Sequence, residues 1–369
     1  MKKVLSIFGT RPEAIKMAPV VKELERHPEI TSVVCVTAQH RTMLDQVLEI
    51  FQITPDYDLD IMKQGQTLTH ITASVLRGIE EVIIKEQPDL VLVHGDTTTA
   101  MAAALAAFYQ QVPVGHVEAG LRTYQRYSPF PEEMNRQIID RIAEYLFAPT
   151  NTSEQHLRKD LNQDQHIYVT GNTAIDALKT TVRPEYKHEI LDWAGNDRLI
   201  LLTAHRRENL GDPMRHIFRA VKRLVDEFDD VKVVYPVHLN PKVQEVAHEI
   251  LGDNDKVRLI EPLDVLDFHN FMERAYFIMS DSGGVQEEAP SLGKPVLVLR
   301  DTTERPEGVE AGTLKLVGTD EEGIYNAAKQ LLSDKVEYDK MSQAANPYGD
   351  GNASSRIVKT IISGGKNVQ

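Results

Sequence analysis

Short apolar runs alternate along the whole chain with longer stretches whose apolar residues recur every three or four positions. That alternation predicts buried strands and amphipathic helices in parallel α/β sheets. The first run, 4–8, leads into Gly9-Thr10-Arg11-Pro12-Glu13, a turn with proline placed for the first position of a helix. This helix should reach about residue 26, with Ile15, Ala18, Val21 and Leu24 as its apolar stripe. Strand patterns follow at 33–37, 89–93, 112–117, 145–148 and 167–171, with helical patterns at 42–51, 67–85, 100–109, from 132 onward and at 152–160. Residues 56–61 read as irregular. A helix from Asn172 to about 178 gives way to a loosely patterned stretch, 181–196. The rhythm then restarts, with strands at 199–203, 231–235, 257–260, 276–279, 296–299 and 314–317. Helices are expected at 214–228 and 265–274, with a short one after Ser282. The tail 320–362 is mostly helical, broken at 346–351.

Each half of this pattern is about the size of one doubly wound domain. The expected fold is therefore α/β, with two Rossmann-like domains, 1–172 and 173–369. In both halves polar residues gather at strand ends, where open α/β sheets bind ligands. If the two sets of strand ends face each other, the site is a cleft between domains.

Charge and composition narrow the partners. The 41 basic and 55 acidic side chains give a net charge of −14, with no block of lysine or arginine, so no nucleic-acid partner is expected. The single cysteine, Cys35, lies in an apolar run and reads as a core thiol, which fits a reducing compartment. The N-terminus runs straight into a strand and is too poor in apolar residues for a signal peptide, and no run approaches a membrane span. A cytoplasmic protein with no membrane partner is expected.

Candidate chemistry sits in the polar strand ends. Ser282-Gly283-Gly284 follows an apolar run and opens a short helix, a setting whose free N–H groups suit phosphate. Glu287 and Glu288 are expected on the first turn, as sugar-hydroxyl acceptors or as charges favoured by the helix dipole. Asp96 is either the N-cap of the helix 100–109 or a carboxylate aimed into the site. Glu118 ends a strand before Ala119-Gly120, a position where glutamate has little structural use. Glu132 and Arg136 stand four apart, so an intrahelical pair is one reading. Arg11 and Lys16 offer cations on the first helix, with solvated helix charge as the plain alternative. The dinucleotide fingerprint, the P-loop lysine motif and the nucleophile elbow are all absent, and His94 and His116 lack metal-ligand spacing, so no metal or cofactor is expected.

Several motifs together carry a resemblance. They are Phe8-Gly9-Thr10-Arg11-Pro12-Glu13-Ala14-Ile15-Lys16-Met17-Ala18-Pro19, Val93-His94-Gly95-Asp96-Thr97, His116-Val117-Glu118-Ala119-Gly120-Leu121-Arg122, Thr170-Gly171-Asn172-Thr173, His205-Arg206-Arg207-Glu208-Asn209, and the stretch around Ser282. The chain from about residue 3 to 362 closely resembles the non-hydrolysing UDP-N-acetylglucosamine 2-epimerases of bacteria. The resemblance implies the glycosyltransferase-B type fold, with the last helix crossing back onto the first domain. It implies interconversion of UDP-GlcNAc and UDP-ManNAc, by elimination of UDP to 2-acetamidoglucal and re-addition. By motif, Asp96, Glu118 and Glu132 resemble the acid/base carboxylates, His205 the essential histidine, and Lys16 and Arg136 the supporting cations. Arg11, His205, Arg206, His238, Ser282, Gly283, Gly284 and Glu288 match substrate contacts, with Glu288 on the ribose, and Phe268 lies where the family holds uracil. Gln39, His40 and His238 resemble part of a pocket where UDP-GlcNAc activates some members, although Thr42 and Gly65 depart from the polar and basic residues of activated ones. A homodimer and a role in surface-polysaccharide synthesis are also implied. The competing readings are a UDP-sugar glycosyltransferase of the same fold, a hydrolysing epimerase, and a non-catalytic nucleotide-sugar sensor.

Overall fold

Seven strands build the first sheet: β1 (Lys2–Phe8), β2 (Ile30–Val36), β3 (Tyr57–Asp58), β4 (Leu90–His94), β5 (Val114–Val117), β6 (Tyr145–Ala148) and β7 (His166–Val169). All pairings are parallel, in the order β3-β2-β1-β4-β5-β6-β7. Helices cover its faces, which is why β4 is apolar at almost every position and buried throughout. The alanines of Thr98–Tyr109 let that helix lie close against Val91 and Val93, and Ile79 and Val82 of Leu68–Glu86 complete this core. The stretch 56–61, read as irregular, contains the two-residue strand β3, which pairs with Cys35 and Val36 at the sheet edge. The Cys35 thiol is buried, and burial pushes it up to about 12.

Six strands form the second sheet: β8 (Arg198–Thr203), β9 (Val231–Pro236), β10 (Val257–Ile260), β11 (Phe277–Ser280), β12 (Val296–Val298) and β13 (Leu314–Leu316). Their order is β10-β9-β8-β11-β12-β13, again all parallel. Side chains alternate between two cores: Ile200 and Leu202 pack on one face, Leu199 and Leu201 on the other. The loosely patterned 181–196 contains one short helix, Glu189–Ala194, capped by the His188 ring.

This computed structural model describes residues 1–38, 41–61, 63, 65–161, 166–303 and 305–365, with the side chains of 41–43 outside the description. The chain divides into two units, 1–180 with 348–369, and 181–347. The helix Ala353–Ser363 belongs to the first unit and packs on the helix Arg11–Glu25. Its leading N–H groups are satisfied by Asp176, which accepts from Ala353 and Ser354 at 3.2 and 2.8 Å. Lys2 reaches its other end, donating to the Ile361 carbonyl at 2.8 Å. Among the described residues no helix is long and apolar enough to cross a membrane.

In each sheet the strand order reverses around the first strand: β1 lies between β2 and β4, and β8 between β9 and β11. Loops leaving the two central strands in opposite directions open a crevice at their carboxyl ends, which is where such sheets bind ligands.

Candidate active site

At the switch point of the first unit, a buried carboxylate ties two loops together. Glu13 accepts from the backbone N–H groups of Gly9 and Thr10 at 3.1 and 2.8 Å, and from the Thr97 hydroxyl at 2.6 Å. The bond from Thr10 N belongs to a capping box, in which the Thr10 hydroxyl accepts from Glu13 N in return. Burial raises its carboxyl above the ordinary value against these donors. Thr97 is also the N-cap of Thr98–Tyr109, accepting from Ala100 at 3.0 Å. The reading of Asp96 as cap is therefore corrected: its neighbour has the extended backbone that the position needs. The Asp96 carboxylate is instead paired with Arg136. The intrahelical pairing of Arg136 with Glu132 gives way to this long-range one. Arg136 also donates to the Leu121 carbonyl at 3.3 Å, and the Asn135 side chain donates to the Asp96 carbonyl at 2.9 Å.

Glu118 stands at the end of β5 with φ of +66°, a left-handed backbone that costs a non-glycine residue of order 1–3 kcal/mol. Its side chain is 9% exposed and its Oε2 is bonded by Lys16. The Asn172 amide donates to the same oxygen at 3.0 Å, and His94 Nε2 lies 3.8 Å away. Burial alone would raise the Glu118 carboxyl; the charge and hydrogen bond of Lys16, together with the charges of His94 and Arg136, outweigh it and hold the group well below the usual carboxylate range. Burial takes the His94 imidazole down to about 3, so this ring is neutral at physiological pH. Among the described residues neither ring nitrogen of His94 has a hydrogen-bond partner. The two glutamates opening the helix Glu132–Ile142 part company. Glu133 is buried and holds the preceding loop through Thr123 N and Tyr124 N, at 2.9 and 3.2 Å, and accepts from the Gln137 side chain at 2.7 Å. Glu132 is half-buried and takes part in none of these bonds. Arg11 is half-buried at the first position of its helix.

The second unit repeats the device. Asp281, fully buried just after β11, accepts on Oδ2 from His205 N (2.8 Å), Arg206 N (2.9 Å) and the Asn209 side chain (3.0 Å). Arg206 Nε returns a bond to the Asp281 carbonyl at 2.9 Å. The loop after β8 is thus fixed to the loop after β11. It presents His205, exposed, with its ring stacked on exposed His238 at 5.2 Å between centroids. Slight burial, helped by the charge of His205, moves His238 below its ordinary value. Ser282, Gly283 and Gly284 follow Asp281 directly, and Ser282 caps no helix N–H with its side chain. The helix Gly283–Glu288 ends at Glu288, so Glu287 and Glu288 lie on its last turn and not, as expected, its first. Glu287 is buried and paired with Arg305 at 2.8 Å, which removes it as a sugar acceptor. An added Cβ on Gly283 would meet that guanidinium at 3.3 Å, placing Arg305 beside the turn. Glu288 lies 3.5 Å from Nε2 of buried His269, whose Nδ1 is hydrogen-bonded with the Thr181 hydroxyl at 2.7 Å. Phe268 precedes His269 on the helix Val265–Arg274 and is half-buried against the core.

The structure thus gathers Lys16, Glu118, Asp96 and Arg136 in one unit, and His205, Arg206 and His238 in the other. Gln39 and His40 lie outside the described residues. Sequence reasoning passed over Glu13, Asn172, Asp281 and Arg305; all but Arg305 sat inside quoted motifs, but nothing local marked them as bridges between strand ends. A cavity of about 520 Å³ is lined by Met134, Gln137, Ile138, Arg141 and Ile142 of the helix Glu132–Ile142, with Arg122 and Asp160 beside them, and none of the candidate residues borders it. Among the described residues no group of three or more His, Cys, Asp or Glu could hold a metal ion.

Comparison with known proteins bears on this inventory. A family model described as UDP-N-acetylglucosamine 2-epimerase matches residues 22–362. A UDP-N-acetylglucosamine 2-epimerase of Bacillus subtilis (strain 168) is 66% identical over 360 residues, covering 98% of this chain and 95% of that one. The structure of the UDP-GlcNAc 2-epimerase from Neisseria meningitidis bound to UDP-GlcNAc superposes with a TM-score of 0.87 at 50% identity, covering 98% of this chain and 100% of that chain. The S. aureus MnaA–UDP co-structure gives a TM-score of 0.90 at 58% identity, covering 98% and 96%.

Proposed function

Because the chain belongs to the family of non-hydrolysing UDP-N-acetylglucosamine 2-epimerases, isomerases that interconvert UDP-GlcNAc and UDP-ManNAc, we propose that it inverts C2 by elimination and re-addition. The two doubly wound sheets are of the glycosyltransferase-B type. The C2 proton of such a sugar is not acidic, since no neighbouring carbonyl can take up the charge. Elimination solves this. A carboxylate takes the C2 proton, the C2–H electron pair becomes the C1=C2 double bond, and the C1–O bond breaks with its pair leaving on UDP. UDP then adds back to C1 while a proton is delivered to the opposite face of C2. Two faces of one carbon require more than one acid/base group.

Glu118, Asp96 and Glu132 fill those roles in this reading, with Lys16 and Arg136 as their cations. The observation that carries it is Glu118: a buried carboxylate, kept ionised by Lys16, in strained backbone at a strand's carboxyl end. Structural economy would not put a glutamate there. In the second unit His205, Arg206 and the Ser282-Gly283-Gly284 turn take the diphosphate, whose departure calls for positive potential held in place beforehand. Arg11 supports the substrate. Glu288 takes the ribose hydroxyls and Phe268 the uracil. His238, stacked on His205, belongs with this group, and with Gln39 and His40 in any activating UDP-GlcNAc pocket. A homodimer in the cytoplasm, supplying ManNAc for cell-surface polysaccharide, completes the proposal.

Incubation with UDP-GlcNAc in deuterated water, followed by NMR, tests the mechanism. UDP-ManNAc labelled with deuterium at C2, without net release of UDP, is the expected result. Unlabelled UDP-ManNAc would rule elimination out. Free ManNAc with UDP would indicate hydrolysis, and transfer that needs an acceptor would indicate a glycosyltransferase.

A further inference from the structure

Behind the two carboxylates runs a buried chain of contacts that the reaction scheme leaves unused. His116 lies on β5 with no solvent exposure, as does Asp140 on the helix Glu132–Ile142. His116 Nδ1 is 2.6 Å from Asp140 Oδ1, and His116 Nε2 is 2.6 Å from the Gly95 carbonyl oxygen. A carbonyl oxygen has no hydrogen to give, so Nε2 must donate to it. Burial would raise the Asp140 carboxyl, but the charges and hydrogen bonds of His116 and Arg122 prevail and hold it below the usual carboxylate range. An ionised Asp140 has no hydrogen to give either, so Nδ1 donates as well. Both ring nitrogens then carry hydrogen. A neutral ring would leave two lone pairs facing each other at 2.6 Å.

We infer that His116 is a buried imidazolium held between Asp140 and the Gly95 carbonyl, and that it is the positioning residue that sets Asp96 and Glu118 for the reaction. The positioning role rests on the reading of those two as acid/base groups; the charge state does not. Gly95 immediately precedes Asp96, and Gly120 follows Glu118 by two residues. Both have left-handed backbone, with φ of +65° and +85°. The His116–Asp140 pair holds both: His116 takes the Gly95 carbonyl, and Asp140 Oδ2 accepts from Gly120 N at 3.3 Å. Gly95 N donates to the Val117 carbonyl at 2.9 Å, so the backbone of one carboxylate is bonded to that of the other. An added Cβ on Gly95 would come within 3.8 Å of Glu118 Oε1, a measure of how near this turn lies to the carboxylate. On the far side Arg122 pairs with Asp140 at 2.7 Å and with Asp160 at 2.9 Å, which leaves the pair no room to drift. His94, Lys16 and Arg136 are the other titratable or charged groups gathered around Glu118.

Two measurements test this. The first is NMR of the wild-type protein labelled with ¹⁵N in histidine, with the His116 ring assigned by its loss in His116→Gln or, if that variant does not fold, in His116→Asn. Both ring nitrogens of His116 should give protonated shifts in the folded protein at neutral pH; one unprotonated nitrogen would overturn the inference. The second is kinetics. The amide of His116→Gln can still reach the Gly95 carbonyl, that of His116→Asn can reach Asp140, and His116→Phe keeps neither bond. Displacement of reacting groups by about 1 Å costs roughly 100-fold in rate, so kcat should fall by that order in the phenylalanine variant and by less in the glutamine one. KM and UDP affinity should stay within about threefold, since the nucleotide contacts lie elsewhere. Unchanged kcat in all three variants, or equal loss of kcat and UDP affinity, would refute the positioning role. Full turnover in Glu118→Gln would refute the acid/base reading, and the positioning role with it, while leaving the imidazolium to stand or fall by its NMR signature.

Discussion

Removing the Lys16 ammonium should take away much of what keeps Glu118 ionised. Lys16→Met keeps the length of the side chain and deletes its charge. The two side chains are 14% and 9% exposed, so water screens little of the interaction. Breaking one partner out of a buried pair costs about 3–5 kcal/mol. The Asn172 bond to the same oxygen survives at 3.0 Å, which favours the lower end, roughly 3 kcal/mol. At about 1.4 kcal/mol per pKa unit, that moves the Glu118 carboxyl up by roughly two units. In the wild type its folded pKa is depressed. It therefore contributes stability that is present above the unfolded value of about 4.3 and is lost as pH falls through the folded value. In the variant burial is the largest remaining influence and the folded pKa rises toward the unfolded value, so the stability this carboxylate contributes above the unfolded value shrinks by about the same 3 kcal/mol. Denaturant unfolding should show a deficit against wild type that is present from mildly acidic to mildly alkaline buffer and narrows as pH falls into the acid range. The ascending limb of the kcat/KM profile should move toward neutrality, because Glu118 must be ionised to act as base. A stability difference below about 0.5 kcal/mol at every pH, the level of an ordinary surface substitution, together with an unmoved ascending limb, would refute the claim that Lys16 holds Glu118 ionised.

Two further outcomes follow from the same geometry. Gly120→Ala places a Cβ 2.4 Å from the Ser153 carbonyl oxygen in backbone of positive φ; strain and overpacking together should cost roughly 2–4 kcal/mol, read as a lower denaturation midpoint in the full chain. Asp281→Ala strips the acceptor from His205 N, Arg206 N and the Asn209 amide; UDP affinity measured by calorimetry should fall at least about tenfold, while Asp281→Asn, which keeps an acceptor, should recover most of it.

The same solution is used in both sheets. Each switch point is bridged by a buried carboxylate: Glu13 beside β1 takes the N–H groups of its own turn and the Thr97 hydroxyl after β4, and Asp281 beside β11 takes the N–H groups of the loop after β8. A carboxylate can take several donors from two loops at once, whereas a hydroxyl or amide has fewer lone pairs to offer. Such groups look like ordinary helix or loop charge in a sequence. Glu13 could be read as the third residue of a capping box, and it is one, but its bond to Thr97, 84 positions away, is what ties the turn after β1 to the loop after β4.

The strands were readable because each is buried on both faces and so must be apolar at nearly every position. Helix starts such as Thr10-Arg11-Pro12-Glu13 were readable because capping chemistry acts over three or four residues. The oddness of Glu118 was readable too, since a carboxylate at a strand end has no local purpose. Partner choice was not. Arg136 has Glu132 four residues away and Asp96 forty residues away, yet it pairs with Asp96. His116 and Asp140 look unrelated in the sequence, and become a clamp only when β5 and the helix Glu132–Ile142 are packed together. Apolar periodicity and capping act through near neighbours along the chain, so the sequence by itself determined the elements, the parallel sheets and the chemical inventory at their ends. Which carboxylate is ionised, which cation it meets and which loops are tied together depend on burial and on distances across the strand order, and these only the tertiary structure decided.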